Sequence, residues 1–285
     1  MNVQHFFDPD TFTLTYVVYD EGTKDAVIID PVLDFDPPSG AVSDKSAQVL
    51  MAFINDHQLK PHFILETHAH ADHLSSSQYL KEKFPGALIA ITRRIIPVQT
   101  TFKKIFNLKD FHDDGRDFDL LVDDYQEIKA GTLTVKFIPT PGHTPACTTF
   151  EINQTLFTGD ALFMPDYGTG RCDFPGGDAR QLYDSVQIIY AYPDHYQIFT
   201  GHDYQPQGRE LKFKTTVGES KKENIHIKAE TTKEEYVTFR TCRDKTLKAP
   251  RLLLPSLQVN IAAGHLPIPE DNQVSYLKLP MKVSY

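Results

Sequence analysis

Apolar and polar positions alternate along residues 12–30, with a turn at Glu21-Gly22 between TFTLTYVVYD and KDAVIID. A period of two puts successive side chains on opposite faces, so this stretch predicts two strands. Residues 44–57 change to helical spacing behind a Ser43/Asp44 cap and predict a helix. HFILE (62–66) predicts a short buried strand that runs straight into THAHADH (67–73); Leu74–Lys83 then resumes a helical period. ALIAIT (87–92) predicts a further strand, and Ile95–Leu108 fits helix or loop equally. The acidic segment DFHDDGRDFDLLVDD (110–124) lacks EF-hand spacing and reads as a solvated face, not a Ca²⁺ loop. Strands follow at LTVKFIP (133–139), CTTFEI (147–152) and TLFTGD (155–160), then a Gly- and Pro-rich loop over 165–178. ARQLYDSVQIIYAY (179–192) predicts an amphipathic helix and YQIFTG (196–201) a strand. Beyond residue 205, helix-like stretches at 216–228 and 232–246 precede Pro-punctuated irregular chain. Two groups of strands with helices between them predict an α/β fold: a mixed-sheet sandwich covered by helices, with a C-terminal extension.

Composition narrows the function classes. The 285 residues are 40% hydrophobic and 24% charged, ordinary for a globular chain. A net charge of −9 opposes binding to polyphosphate, so no nucleic acid is expected as a partner. No apolar run approaches the length of a membrane span, and the start, MNVQHFFDPD, resembles neither a signal nor a transit peptide. Cys147, Cys172 and Cys242 are too few for a disulfide framework, which suits a cytoplasmic protein. None sits in a C-x-x-C, as a sulfur carrier or redox sensor would favour, and Cys147 reads as a small core side chain. The chain has no G-x-S-x-G elbow, P-loop or G-x-G-x-x-G.

The histidines carry the chemistry. His68, His70 and His73, with Asp72, fall within seven residues directly after an apolar strand. His143, Asp160 and His202 each follow a glycine near a strand end, where the backbone can bend and present a side chain at a rim. Imidazole and carboxylate suit a first-row transition metal. Together the residues supply His68, His70, His143 and Asp160 for one metal position, and Asp72, His73, Asp160 and His202 for a second.

This H-x-H-x-D-H set with its three distant partners resembles the metallo-β-lactamase superfamily, which implies an αβ/βα sandwich with metal at one edge. The resemblance makes residues 1–205 the catalytic domain and 206–285 an extension packed on it. The segments PGHTPAC (141–147), FTGDALF (157–163), GTGRCDFPGGDARQLYDSV (168–186), GHDY (201–204) and PRLLLPSLQVNIAAGHLPIPEDN (250–272) look like the persulfide dioxygenases of that superfamily, bacterial branch. That resemblance implies one Fe(2+) per chain, held by His68, His143 and Asp160, with glutathione persulfide and O₂ as substrates and sulfite and glutathione as products. His70, Asp72, His73 and His202 then lie outside the iron's ligands or form a second metal site. The latter option keeps a glyoxalase II-like dinuclear thioester hydrolase as the alternative. Arg171 and Tyr204 match glutathione-contacting positions of the related glyoxalase II enzymes, and Arg209 and Lys212 are further candidates. A homodimer is possible, and no membrane partner is implied.

Overall fold

The computed structural model describes residues 1–281. The first half runs β1 (Asn2–Asp8), β2 (Thr13–Tyr19), β3 (Asp25–Ile29), β4 (Val32–Asp36), β5 (Ala41–Ser43), α1 (Lys45–Asp56), β6 (Lys60–Leu65), β7 (Leu74–Ser75), α2 (Ser77–Lys83), β8 (Leu88–Thr92), α3 (Ile95–Ile105) and β9 (Leu120–Val122). The second half runs β10 (Glu127–Ala130), β11 (Leu133–Pro139), β12 (Thr148–Ile152), β13 (Thr155–Phe157), α4 (Ala179–Tyr190), β14 (Gln197–Phe199), β15 (Lys214–Thr216), α5 (Val217–Glu223), α6 (Lys233–Asp244) and α7 (Leu253–Asn260).

Two six-stranded sheets, β1-β2-β3-β6-β8-β9 and β10-β11-β12-β13-β14-β15, face each other. Alternation explains the layering. In β2, Leu14, Tyr16 and Val18 point into the space between the sheets, while Val17 points out to the helices; β3 does the same with Val27 and Ile29 against Ile28. The outer face of the first sheet is covered by α1 through Leu50 and Ile54, and that of the second by α4 through Leu182, Val186 and Ile189. Each such side chain removed from water contributes about 1.5–3 kcal/mol. The inner layer is aromatic at its centre, with Phe137 on Phe150 at 4.8 Å and Tyr16 on Phe157 at 5.4 Å. The result is the helix–sheet–sheet–helix sandwich that the strand grouping predicts.

The sheets also join at one edge. Leu14 N donates to the Gly201 carbonyl at 2.9 Å, and Asp203 N to the Phe12 carbonyl at 3.1 Å. Tyr16 Oη donates to the Thr200 carbonyl at 2.7 Å. This seam fixes the start of β2 against the loop after β14, beside His202.

Several elements depart from the sequence reading. Residues 74 and 75 form β7, and the helix begins only at Ser77. Asp44 precedes α1 but does not cap it; its carboxylate takes Gln48 and Tyr79 instead. Ile95–Ile105 resolves as helix. In the acidic segment Asp113, Asp119, Asp123 and Asp124 pair with Lys103, Lys81, Arg93 and Arg94. Strand β1 was not anticipated, because its residues are half-buried on both faces and show no alternation. Helix α7 lies in the stretch expected to be irregular. Pro255 sits in its first turn, where proline is tolerated, and its last five residues are buried all round, so no amphipathic period shows. The boundary placed after residue 205 falls between β14 and β15, which are neighbours in one sheet. Among the described residues, no helix is long and apolar enough to cross a membrane.

Candidate metal centre

Four loops, each following a strand (β6, β11, β13 and β14), converge at the seam. The first is set by Asp30, at the end of β3. Thr67 donates to it from its backbone N at 2.7 Å and from Oγ1 at 2.8 Å. With that hydroxyl proton committed, Thr67 Oγ1 accepts from His68 Nδ1, 3.0 Å away. The His68 proton therefore sits on Nδ1, and Nε2 keeps a lone pair with no partner in the protein.

His143 is held in the same manner. Its Nδ1 donates to the Arg171 carbonyl at 2.7 Å, which leaves Nε2 free, 3.5 Å from Asp160 Oδ2. The turn before it requires Gly142, at φ +138°, because any Cβ would collide with the backbone of Leu182 in α4. Gly159, at φ +48°, has the same role before Asp160: a Cβ there would lie 2.7 Å from Thr67 Oγ1. His68, His143 and Asp160 form a set that offers one donor atom each, all within 4.8 Å of one another.

The other four histidine and aspartate positions gather alongside. His70, Asp72 and His73 form a second set of the same tightness. His73 Nδ1 bonds Asp72 Oδ2 at 2.8 Å, so its Nε2 is left unpartnered. His202 Nδ1 donates to the Phe12 carbonyl at 3.2 Å; its Nε2 lies 3.3 Å from Asp160 Oδ1 and 3.6 Å from Asp72 Oδ2. His70 does not join His68 in the first set. Its Nε2 lies 3.0 Å from Asp30 Oδ1 and 3.4 Å from Glu66 Oε2, and these three form a cluster of their own. Its Nδ1 has no partner.

Electrostatics separate these imidazoles. Burial pushes the His68 pKa well below the ordinary histidine value, helped by His70 and His143, so His68 is neutral at pH 7, the form a metal ligand needs. Burial opposes charge on His70 too, but Asp30 and Glu66 outweigh it and raise its pKa well above the ordinary value. Asp72 is half-buried, which disfavours its charge, yet His202 and His73 hold its carboxyl well below the usual range.

A buried polar atom with no partner costs about 1–3 kcal/mol. His68 Nε2, His73 Nε2, His70 Nδ1 and Asp160 Oδ1 are all in that state within one site. A metal ion with imidazole and carboxylate ligands satisfies such atoms together, so the donor set fits a bound transition metal.

A cavity of about 390 Å³ opens onto Asp72, His143 and Asp160. Phe12, Phe163, Tyr167 and Tyr204 form an aromatic wall, with Tyr204 stacked on Tyr167 at 4.6 Å and on His202 at 5.4 Å. Burial, then Asp160 and Asp72, raise the Tyr204 pKa well above its ordinary value, so its phenol keeps its proton. Arg171 also lines the cavity, but its guanidinium is already engaged: Asp173 takes Nε and Nη2, and the Lys248 carbonyl takes Nη1, all at 2.6 Å. Arg209 clamps Asp166 and Asp203, and neither it nor Lys212 lines the cavity. Burial pushes the Cys147 thiol up to about 12, and burial also raises that of Cys172.

One contributor escaped the sequence reading. Asn260, at the end of α7, accepts from Ser75 N at 2.8 Å and donates to the carbonyls of His70 and His73 at 2.9 and 2.7 Å. A single asparagine of the extension thus ties down the ligand loop from behind. Lone asparagines carry no spacing signal, so only the folded chain reveals it.

The motif set has counterparts among known proteins. The Metallo-beta-lactamase superfamily profile matches residues 8–202. A probable metallo-hydrolase of Burkholderia pseudomallei is 46% identical, over 99% of this chain and 99% of its own length. Glyoxylase B2 of Dictyostelium discoideum is 47% identical, over 98% of this chain and 96% of its own. The mitochondrial persulfide dioxygenase ETHE1 of Homo sapiens is 33% identical, over 71% of this chain and 68% of its own. With its sandwich fold, its converging histidine and aspartate loops and a profile match over more than half its length, the chain belongs to the metallo-β-lactamase superfamily.

Proposed function

We propose that this chain is an iron-dependent persulfide dioxygenase acting on glutathione persulfide. The observation that carries the reading is the donor count at the first position. Two imidazoles and one carboxylate meet there, His68, His143 and Asp160, while His70 lies against Asp30 and Glu66. A two-histidine, one-carboxylate set leaves coordination positions open, as non-haem iron oxygenases require. A ferrous ion bound there would supply the redox chemistry by which O₂ oxidises a persulfide sulfur. The chain's own residues supply geometry. The Thr67 and Arg171 contacts fix which nitrogen of His68 and His143 is free. The wall of Phe12, Phe163, Tyr167 and Tyr204 shields the reacting sulfur from bulk water. Glutathione persulfide, O₂ and water are converted to glutathione and sulfite: the outer sulfur is oxidised, O₂ is reduced, and the S–S bond breaks. No side chain need act as nucleophile.

A second reading, a glyoxalase II-like dinuclear thioester hydrolase, has its own support. The names of the two relatives that match nearly end to end, metallo-hydrolase and glyoxylase, favour it over the dioxygenase. The His70–Asp72–His73 set, with His202 beside Asp160, offers donors for a second ion, and two ions could activate a bridging hydroxide. Metal analysis of protein from iron-supplemented medium separates the two when paired with an oxygen electrode. About one iron per chain and O₂ uptake with glutathione persulfide is the expected result. Two metals per chain, hydrolysis of a glutathione thioester and no O₂ uptake would replace it with the hydrolase.

A further inference from the structure

The arginines of the chain divide into paired and unpaired groups. Seven of the nine are held in ion pairs. The two with no ion-pair partner among the described residues, Arg243 and Arg251, both line the cavity over the metal centre. Lys248, which also has no ion-pair partner among the described residues, lines it too. In a chain of net charge −9, unpaired cations would be expected to scatter over the surface, yet both unpaired arginines share one mouth.

The segment that carries them is anchored. Arg243 is in the last turn of α6, whose Arg240 and Asp244 form a buried ion pair. The Lys248 carbonyl accepts from Arg171, and Leu252, next to Arg251, is buried. The guanidiniums themselves are exposed and uncommitted. Each offers a planar fork that matches a carboxylate, whereas the fork of Arg171 is filled by Asp173. Asp10, exposed at the same mouth, is a complementary anion for an α-ammonium group. The cavity volume is in the range of small-molecule sites.

We propose that Arg243 and Arg251, both from the C-terminal extension, form a carboxylate-binding subsite. It selects sulfur compounds that carry two carboxylates, of glutathione's size, over uncharged thiols. The proposal rests on the reading that the substrate is a glutathione derivative. Dioxygenase and hydrolase share that feature, so it holds for either reaction.

The test is calorimetric titration of the metal-loaded protein with reduced glutathione and with its diethyl ester, in which both carboxylates are masked. Arg243→Gln and Arg251→Gln should each weaken glutathione binding about tenfold, the worth of one charge-assisted contact partly screened by solvent. The double variant should lose about a hundredfold. The ester should bind the wild type weakly and be indifferent to the substitutions. Arg93→Gln, which removes an exposed ion pair away from the cavity, should bind glutathione as wild type does. Arg243→Lys should recover part of the loss. Melting temperatures check that each variant is folded. A double variant that binds glutathione like wild type would overturn the subsite while leaving the glutathione reading intact, as would equal wild-type affinity for glutathione and its ester. Wild-type protein that turns over another thiol derivative and does not bind glutathione would overturn both.

Discussion

Asn260→Ala removes three hydrogen bonds at once. Ser75 N and the carbonyls of His70 and His73 lose their side-chain partner in a region where Asn260 is only 5% exposed. Each buried group left unpaired costs about 1–3 kcal/mol, and a water entering the space vacated by the amide recovers part of that. A net loss of about 3–5 kcal/mol is expected, a large share of the ~5–15 kcal/mol that holds a typical domain together. At about 2–4 °C per kcal/mol for a chain of this size class, the melting temperature should fall by roughly 10 °C. The loop released carries His70, Asp72 and His73 and continues into His68. Metal affinity should therefore fall about 10–100-fold, as it does when groups that orient metal ligands are removed. The assays are thermal melts of metal-free protein and equilibrium metal titration well below the variant's melting temperature. Wild-type stability together with wild-type metal affinity would refute the reasoning. Lower stability with unchanged affinity would mean that Asn260 supports the fold and not the ligands.

The first-position ligands and the flanking histidine should respond differently to truncation. Asp160→Ala should lose nearly all bound metal, whereas His202→Ala should keep most of its metal and lose part of its activity, both read as metal per chain; equal metal loss in the two would favour a dinuclear site. Arg171→Ala frees Asp173 and the Lys248 carbonyl and loosens the segment bearing Arg243 and Arg251, so KM should rise about ten- to hundredfold with a smaller change in kcat. An unchanged KM would show that this tether has no part in substrate binding. Burial, with Arg240 and Arg243, pushes His226 down to about 3, so the folded protein keeps it neutral where the unfolded chain, at about 6.5, takes a proton. Its contribution is present above pH 6.5 and is lost as pH falls toward 3, about 2 kcal/mol of it between pH 7 and pH 5. Urea unfolding of metal-free His226→Asn at these two pH values should show a pH dependence flatter by about that amount, and an identical dependence would contradict the assignment.

The sequence by itself determined the sandwich and picked out the seven histidine and aspartate positions that gather at the candidate metal centre, because both are written in local patterns. Alternation in residues 13–19 and the apolar run at 26–29 mark two strands, and each candidate ligand lies beside a strand end, next to a glycine or in a dense run of its own kind. Strand β1 and helix α7 were illegible because their residues are half-buried or buried on every side and their sequences show neither a period of two nor one of 3.6. Tertiary structure alone decided how the ligands divide. His70 is spaced to accompany His68, but folding places it against Asp30 from β3 and Glu66, two carboxylates whose approach no spacing encodes. It decided equally that Arg171 spends its charge on Asp173, that Arg243 and Arg251 keep theirs, and that Asn260 reaches back 190 residues to His70. A side chain's type states what it could bind. Which partners it meets is set by packing between segments far apart in the chain, and that information exists only once the chain has folded.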